Sequence, residues 1–130
     1  MTPRSATIAV LVALASPLPA GATAGDAAHG AEIYQRCIAC HALDRNRTGP
    51  KHCGLFGRRA GGVPDFAYSQ AMRSSGIVWD EASLDRFLES PLKAVPGTRM
   101  GYAGVKDARE RADLIAYLKS AGADPTICSP

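Results

Sequence analysis

The run Cys37-Ile38-Ala39-Cys40-His41 constrains this chain more than any other feature in it. In a C-x-x-C-H segment the two thiols can add to the two vinyl groups of haem, and the adjacent histidine coordinates its iron. At the end of a helix this spacing turns both sulfurs toward one side, and the histidine then lies over the centre of the macrocycle. Three other readings stand beside it. Two core cysteines could fall at this spacing by chance. A thioredoxin-like redox pair would want βαβ patterning, which is absent, and gives His41 no task. A zinc site would want a second ligand pair, and His52 and Cys53 do not follow at zinc-finger spacing. Covalent haem is the reading that uses all three residues.

Such a group would also supply a missing core. The chain has 130 residues, 46% of them hydrophobic but only 6% aromatic, with a single Trp. That is one globular domain, neither polar enough to be disordered nor long enough for two ordinary domains. A formal charge of +3 excludes a strongly basic nucleic-acid binder. Long stretches rich in Gly, Pro and Arg, residues 43–65 and 91–106, carry no strand alternation and no repeats. Loops of this length argue against a compact fold unless they wrap a bound group.

The N-terminal stretch reads as a secretory signal peptide over residues 1–24. Arg4 precedes an apolar run over residues 8–15, and Ala22-Thr23-Ala24 is a small-x-small cleavage signature. The run is too short for a stable bilayer span and is closed by Pro17 and Pro19. Cleavage near Ala24/Gly25 would export a domain of residues 25–130, ending in a tail over 122–130, with no membrane span and a periplasmic location.

Three helices are predicted in that domain. Asp26 can cap the first, in which Ala27, Gly30, Tyr34 and Cys37 recur at helical spacing. Asp80 can cap a second, with a Leu84, Phe87 and Leu88 stripe that Pro91 stops. Asp107 and Glu110 resemble a capping box opening a third, which carries Leu114, Ile115, Tyr117 and Leu118 and ends at Gly122. A short helix over residues 69–74 is weakly signalled. For a sixth iron ligand the exported domain offers Met72, Met100, His29 and His52. Met100 is favoured, because Pro96-Gly97-Thr98-Arg99 makes a turn that can deliver it across the haem face. Met72 is more simply core, His29 falls on the exposed side of the first helix, and His52 is close to His41 in the chain.

These residues carry a resemblance to class I cytochromes c, in the cytochrome c2 and mitochondrial-type branch. The matching runs are the haem motif, Thr48-Gly49-Pro50, Gly54-Leu55-Phe56-Gly57-Arg58, Gly76-Ile77-Val78-Trp79, Pro96-Gly97-Thr98-Arg99-Met100 and residues 111–118, in that order. The resemblance implies an all-α fold in which N- and C-terminal helices cross, with Gly30, Tyr34, Leu114 and Tyr117 at the crossing. It implies one haem c bound through Cys37 and Cys40, with His41 and Met100 as iron ligands. It further implies that the Pro50 carbonyl accepts from the other His41 ring nitrogen. Tyr68 and Trp79 would hydrogen-bond the buried propionate, with Arg58 supplying charge and Thr98 nearby. Arg36, Lys93, Arg99 and Lys106 would rim the haem edge. Phe87 stands where many relatives have a tyrosine and Met72 where mitochondrial relatives have an asparagine, so the Met side is expected to be drier.

Cys53 and Cys128 have no counterpart in the mitochondrial pattern. In an oxidising compartment the simplest outcome is a disulfide pinning the tail to the Cys53 loop, with free thiols or an intermolecular bridge as the alternatives. Chain entropy allows it about 4 kcal/mol at most, less once haem restrains the unfolded chain.

The expected function is a monomeric one-electron carrier, not an enzyme. It would move electrons between transient partners such as a cytochrome bc1 complex, an oxidase, a reaction centre or a dehydrogenase. The rivals are a haem subunit docked permanently to a dehydrogenase, and a haem enzyme or gas sensor with a labile sixth ligand.

Overall fold

The computed structural model describes Met1 and residues 24–129. The signal-peptide reading over residues 1–24 lies almost wholly outside them. Five helices occur among the described residues: α1 (Ala27–Tyr34), α2 (Gln70–Arg73), α3 (Glu81–Glu89), α4 (Pro91–Ala94) and α5 (Ala108–Ala121). One isolated antiparallel bridge, between Arg59 and Val78, is the only β pairing described. The fold is all-α.

Aspartates set three of the helix starts, as the sequence leads one to expect. The Asp26 side chain accepts from the Ala28 and His29 amides. The Asp80 carboxylate accepts from Ser83 N, and the Ser83 hydroxyl oxygen accepts from Asp80 N, closing a capping box. Each satisfies amides that have no partner inside the helix. Asp107 accepts from the Arg109 and Glu110 amides, but the expected box is not the use Glu110 finds. Both Glu110 oxygens accept from Arg36, at 2.7 and 2.9 Å. A forked ion pair joining the two terminal helices wins over a local cap. Pro91 does end α3, and it also opens α4 at a first-turn position, where its missing N–H costs nothing.

The frame is the crossing of α1 on α5. Leu114 is 0% exposed, with Ile33, Leu118 and Tyr34 buried around it. Burying a leucine fully contributes about 2 kcal/mol. Gly30 makes the approach close enough: a Cβ there would lie 2.0 Å from the Asp113 carbonyl oxygen and 2.8 Å from the Tyr117 Cβ. The Tyr34 and Tyr117 rings then meet at 5.2 Å between centroids.

Charged groups lock this crossing. The Asp113 side chain is 3% exposed. Its carboxylate accepts from Asp26 N at 2.6 Å and from His29 Nδ1 at 2.8 Å, with Arg109 Nε at 3.3 Å. The His29 bond, then the Asp26 amide, hold the Asp113 carboxyl below its ordinary range, and the same His29–Asp113 bond raises the His29 imidazole. Arg111, also buried, donates to Asp85 on α3 at 2.7 Å and to the Val105 and Lys106 carbonyls. Its rigid fork thereby ties α5 to α3 and to the loop arriving from Met100.

Two outcomes follow. Gly30→Ala is expected to cost about 2–3 kcal/mol in denaturant unfolding, because backbone must move and the helix-propensity gain of about 1 kcal/mol does not compensate. The second concerns pH. His29 holds its proton more tightly folded than unfolded, so its contribution is complete below 6.5 and fades as pH rises through the raised value. Asp113 contributes fully above 3.8 and loses its share as pH falls through its lowered value. The parent Tm should therefore decline above pH 6.5 more steeply than that of His29→Gln. Parallel Tm–pH curves would show that the bond does not stabilise the fold.

Candidate haem site

After α1 the chain does not extend but coils into consecutive turns. Cys37 N bonds Tyr34 O, and both Cys40 N and His41 N bond Cys37 O, at 3.1 and 2.9 Å. Cys37 and Cys40 line one cavity, and His41 follows them into it. The sequence motif is thus displayed as its spacing predicts.

His41 is held from several directions. Its Nδ1 donates to the Pro50 carbonyl at 2.8 Å. That bond leaves Nε2 as the nitrogen free to coordinate. Gly49 packs its backbone directly on the ring, where a Cβ would stand 2.3 Å from Cε1. Gly49 is itself fixed by its amide bond to Cys40 O at 2.7 Å. Burial holds the imidazole below its ordinary pKa, against the opposing effect of the Pro50 bond. A neutral ring is the form a metal requires.

The cavity measures about 570 Å³. Its apolar wall comes from Leu55, Trp79, Leu84, Phe87, Leu88 and Leu114, drawn from four parts of the chain. Every predicted haem-contacting residue lines it: Cys37, Cys40, His41, Pro50, Arg58, Tyr68, Trp79, Thr98 and Met100. Met100 is delivered by the turn the sequence pointed to. Gly97 sits at φ +91°, and the Met100 amide donates to Thr98 Oγ1 at 3.3 Å. Met72 and Phe87 also line the cavity, in place of the polar side chains expected in relatives.

Arg58 tests the fit of a haem most directly. Its two terminal nitrogens donate to the Cys53 and Lys51 carbonyls, at 3.0 and 2.9 Å. Its Nε is buried without a hydrogen-bond partner among the described residues. Burial lowers its pKa, and Tyr68 opposes that shift. An unpartnered buried donor on a cation calls for an anion in the cavity, and a propionate has that chemistry. Paired rim thiols, a neutral imidazole, a thioether and this cation make a donor set that suits haem.

Of the four cations expected to rim the haem edge, Arg36 and Arg99 line the cavity. Arg36 is paired with Glu110, and Lys106 donates to the Glu89 carbonyl. Cys53 and Cys128 are bonded to each other, with Cα atoms 5.4 Å apart. His29 is engaged with Asp113, away from the cavity. His52 also lines the cavity, its ring stacked on His41 at 4.4 Å and 20° between planes. Burial first, then His41 and Arg58, push its pKa down to about 3. The Tyr34 hydroxyl lies 3.0 Å from its Nδ1. Its place directly after Lys51, two residues past Pro50, was the available signal.

Comparison with known proteins agrees with this geometry. The cytochrome c family profile matches residues 27–122. The chain is 41% identical to cytochrome c2 of Blastochloris viridis over 124 residues, covering 93% of this chain and 96% of that protein. It is 50% identical to cytochrome c of Tetrahymena pyriformis over 98 residues, 74% of this chain and 89% of the relative. Among solved structures, cytochrome cH from Methylobacterium extorquens superposes with a TM-score of 0.72 at 43% identity, covering 74% of this chain and 99% of that one. The chain belongs to the cytochrome c family, class I, and is an electron carrier rather than an enzyme, with one haem c bound through Cys37 and Cys40.

Proposed function

We propose that the protein is a monomeric periplasmic shuttle that moves single electrons between larger redox proteins, with His41 and Met100 as its two axial ligands. The observation that carries this is the convergence of an oriented, neutral His41 and a turn-delivered Met100 on one apolar cavity. Haem bound there supplies one-electron iron chemistry, and a thioether ligand favours the reduced state.

The chain's own residues define how that chemistry is used. The Pro50 carbonyl orients His41 and strengthens it as a donor. The Thr98 hydroxyl steadies the backbone of Met100. Arg58, with Tyr68 and Trp79 beside it in the cavity wall, receives the buried propionate. Leu84, Phe87 and Leu88 from α3 keep water out. With His41 and Met100 both holding the iron, the bound haem would offer no open position to oxygen, peroxide or substrate. A rigid dry cavity also changes little when charge moves by one unit, which is what fast transfer requires.

Export supports the periplasmic placement: the leader over residues 1–24 has the charge, apolar run and cleavage signature of a secreted chain. No described helix is long and apolar enough to cross a membrane. The partners fit the class of a bc1 complex, a terminal oxidase, a reaction centre or a periplasmic dehydrogenase, met transiently at the exposed haem edge. Glu110 neutralises Arg36 there, so attraction rests on few free cations and its salt dependence is modest.

The visible spectrum of the purified protein tests the reading. A sharp low-spin c-type spectrum when reduced, a weak red Met-to-iron band when oxidised, and indifference to carbon monoxide are expected. High-spin bands or ready carbon monoxide binding in the parent would overturn Met100 as a firm ligand and favour a sensor or enzyme. Met100→Ala should lose the red band and go from no carbon monoxide response to full conversion. Thiol counting tests the Cys53–Cys128 bond. The native holoprotein should take up no alkylating reagent, and should take up two equivalents after reduction and unfolding.

A further inference from the structure

His52 and Tyr34 are polar residues lining the cavity, and the ligand set proposed above gives neither a task. An aliphatic side chain at position 52 would fill the same volume without needing a partner. Instead the flat imidazole of His52 lies nearly parallel to the ring of His41, 4.4 Å between centroids. It cannot swivel freely, because the Tyr34 hydroxyl lies within hydrogen-bond distance of its Nδ1, at 3.0 Å. Its backbone is fixed as well: His52 N bonds Leu43 O at 3.0 Å, and Cys53 N bonds the same carbonyl at 2.7 Å. Tyr34 in turn is the last residue of α1, 3% exposed, with its ring tilted at 49° against Tyr117 of α5. A continuous chain of contacts therefore runs from the helix crossing through Tyr34 and His52 to His41.

We propose that Tyr34 and His52 act as one positioning unit for the proximal ligand, holding the plane of the His41 imidazole by stacking while Pro50 holds its Nδ1. This rests on His41 being an iron ligand, as in the reading above. The Nδ1 bond to Pro50 and the Gly49 backbone restrain the ring along its edge and at close contact. A stacked planar neighbour, itself tethered, restrains the whole face. The stack also has an electronic consequence. Positive charge spreads onto the ligand ring in the oxidised protein, and the π face of a neutral imidazole favours that charge over an aliphatic contact. The unit therefore stabilises the oxidised state and offsets part of the effect of the thioether.

Two holoprotein variants test this, His52→Leu and Tyr34→Phe, each read by reduction potential and by the paramagnetic haem-methyl shift pattern of the oxidised form, which reports the axial ring plane. His52→Leu should raise the reduced-to-oxidised ratio at fixed ambient potential about threefold, or ~30 mV for a one-electron couple. Tyr34→Phe should shift it the same way by less. Both should change the methyl pattern while keeping the red Met-to-iron band. Lower thermal stability with the parent's potential and methyl pattern, in either variant, would reduce the pair to packing and overturn the proposal. Should His52→Leu fail to take up haem, Tyr34→Phe, which removes a single oxygen, decides alone. A parent without the red band would defeat the Met100 assignment, yet both comparisons concern the His41 side and still decide this one.

Discussion

Residues 41–69 and 95–107 have little regular hydrogen bonding of their own, and what organises them is the inward-facing wall they build around one large cavity. Leu55 comes from the first region and Met100 and Tyr102 from the second, facing Trp79 from the loop before α3, Leu84, Phe87 and Leu88 from α3, and Leu114 from α5. In an ordinary small domain such side chains would interdigitate with one another. Here they share a common neighbour, and a haem anchored at Cys37 and Cys40 supplies the apolar contacts that close packing would otherwise require. The dependence is mutual. The cavity is also where the chain spends its unpaired polarity, in the buried Nε of Arg58 and the neutral imidazole of His41.

The α1–α5 crossing is the part of the molecule that does not need that neighbour. Gly30 lets two backbones approach, and Leu114 seals the contact. Buried charge then makes it directional. Asp113 would be costly where it lies without its three donors, and Arg111 without its three acceptors. Such groups discriminate strongly between one helix register and the next, because a slip would strand them. Tyr34 then carries the crossing's geometry toward the iron site.

Much of this was legible in the residues, for local reasons. Asp26, Asp80 and Asp107 announce helix starts because capping is decided within three residues. The turn before Met100 is legible because Pro96-Gly97 fixes its own backbone. The haem motif carries its chemistry in five consecutive residues, and the family resemblance extended it to Pro50, Arg58, Tyr68, Trp79 and Thr98. What stayed hidden were pairings across long sequence distances. Nothing near Glu110 says that its carboxylate prefers Arg36 to its own helix start. Nothing near His29 marks Asp113 as its partner. The stacking role of His52 is hidden for the opposite reason. Its nearness to His41 in the chain argues against a second ligand, and that same nearness is what lets it stack on the first.

The bond between Cys53 and Cys128 has a consequence for how the chain is made. On the export proposed above, which would run from the N-terminus, Cys37, Cys40 and Cys53 would reach the oxidising side together, well before Cys128, the partner of Cys53. During that interval any disulfide formed is a wrong one, and each wrong one consumes a thiol that haem attachment needs. The order of events is therefore part of the specification: the vicinal thiols must be kept reduced or already alkylated by haem when Cys128 arrives. The tail then closes last, and its closure marks a polypeptide whose biogenesis ran in the right sequence.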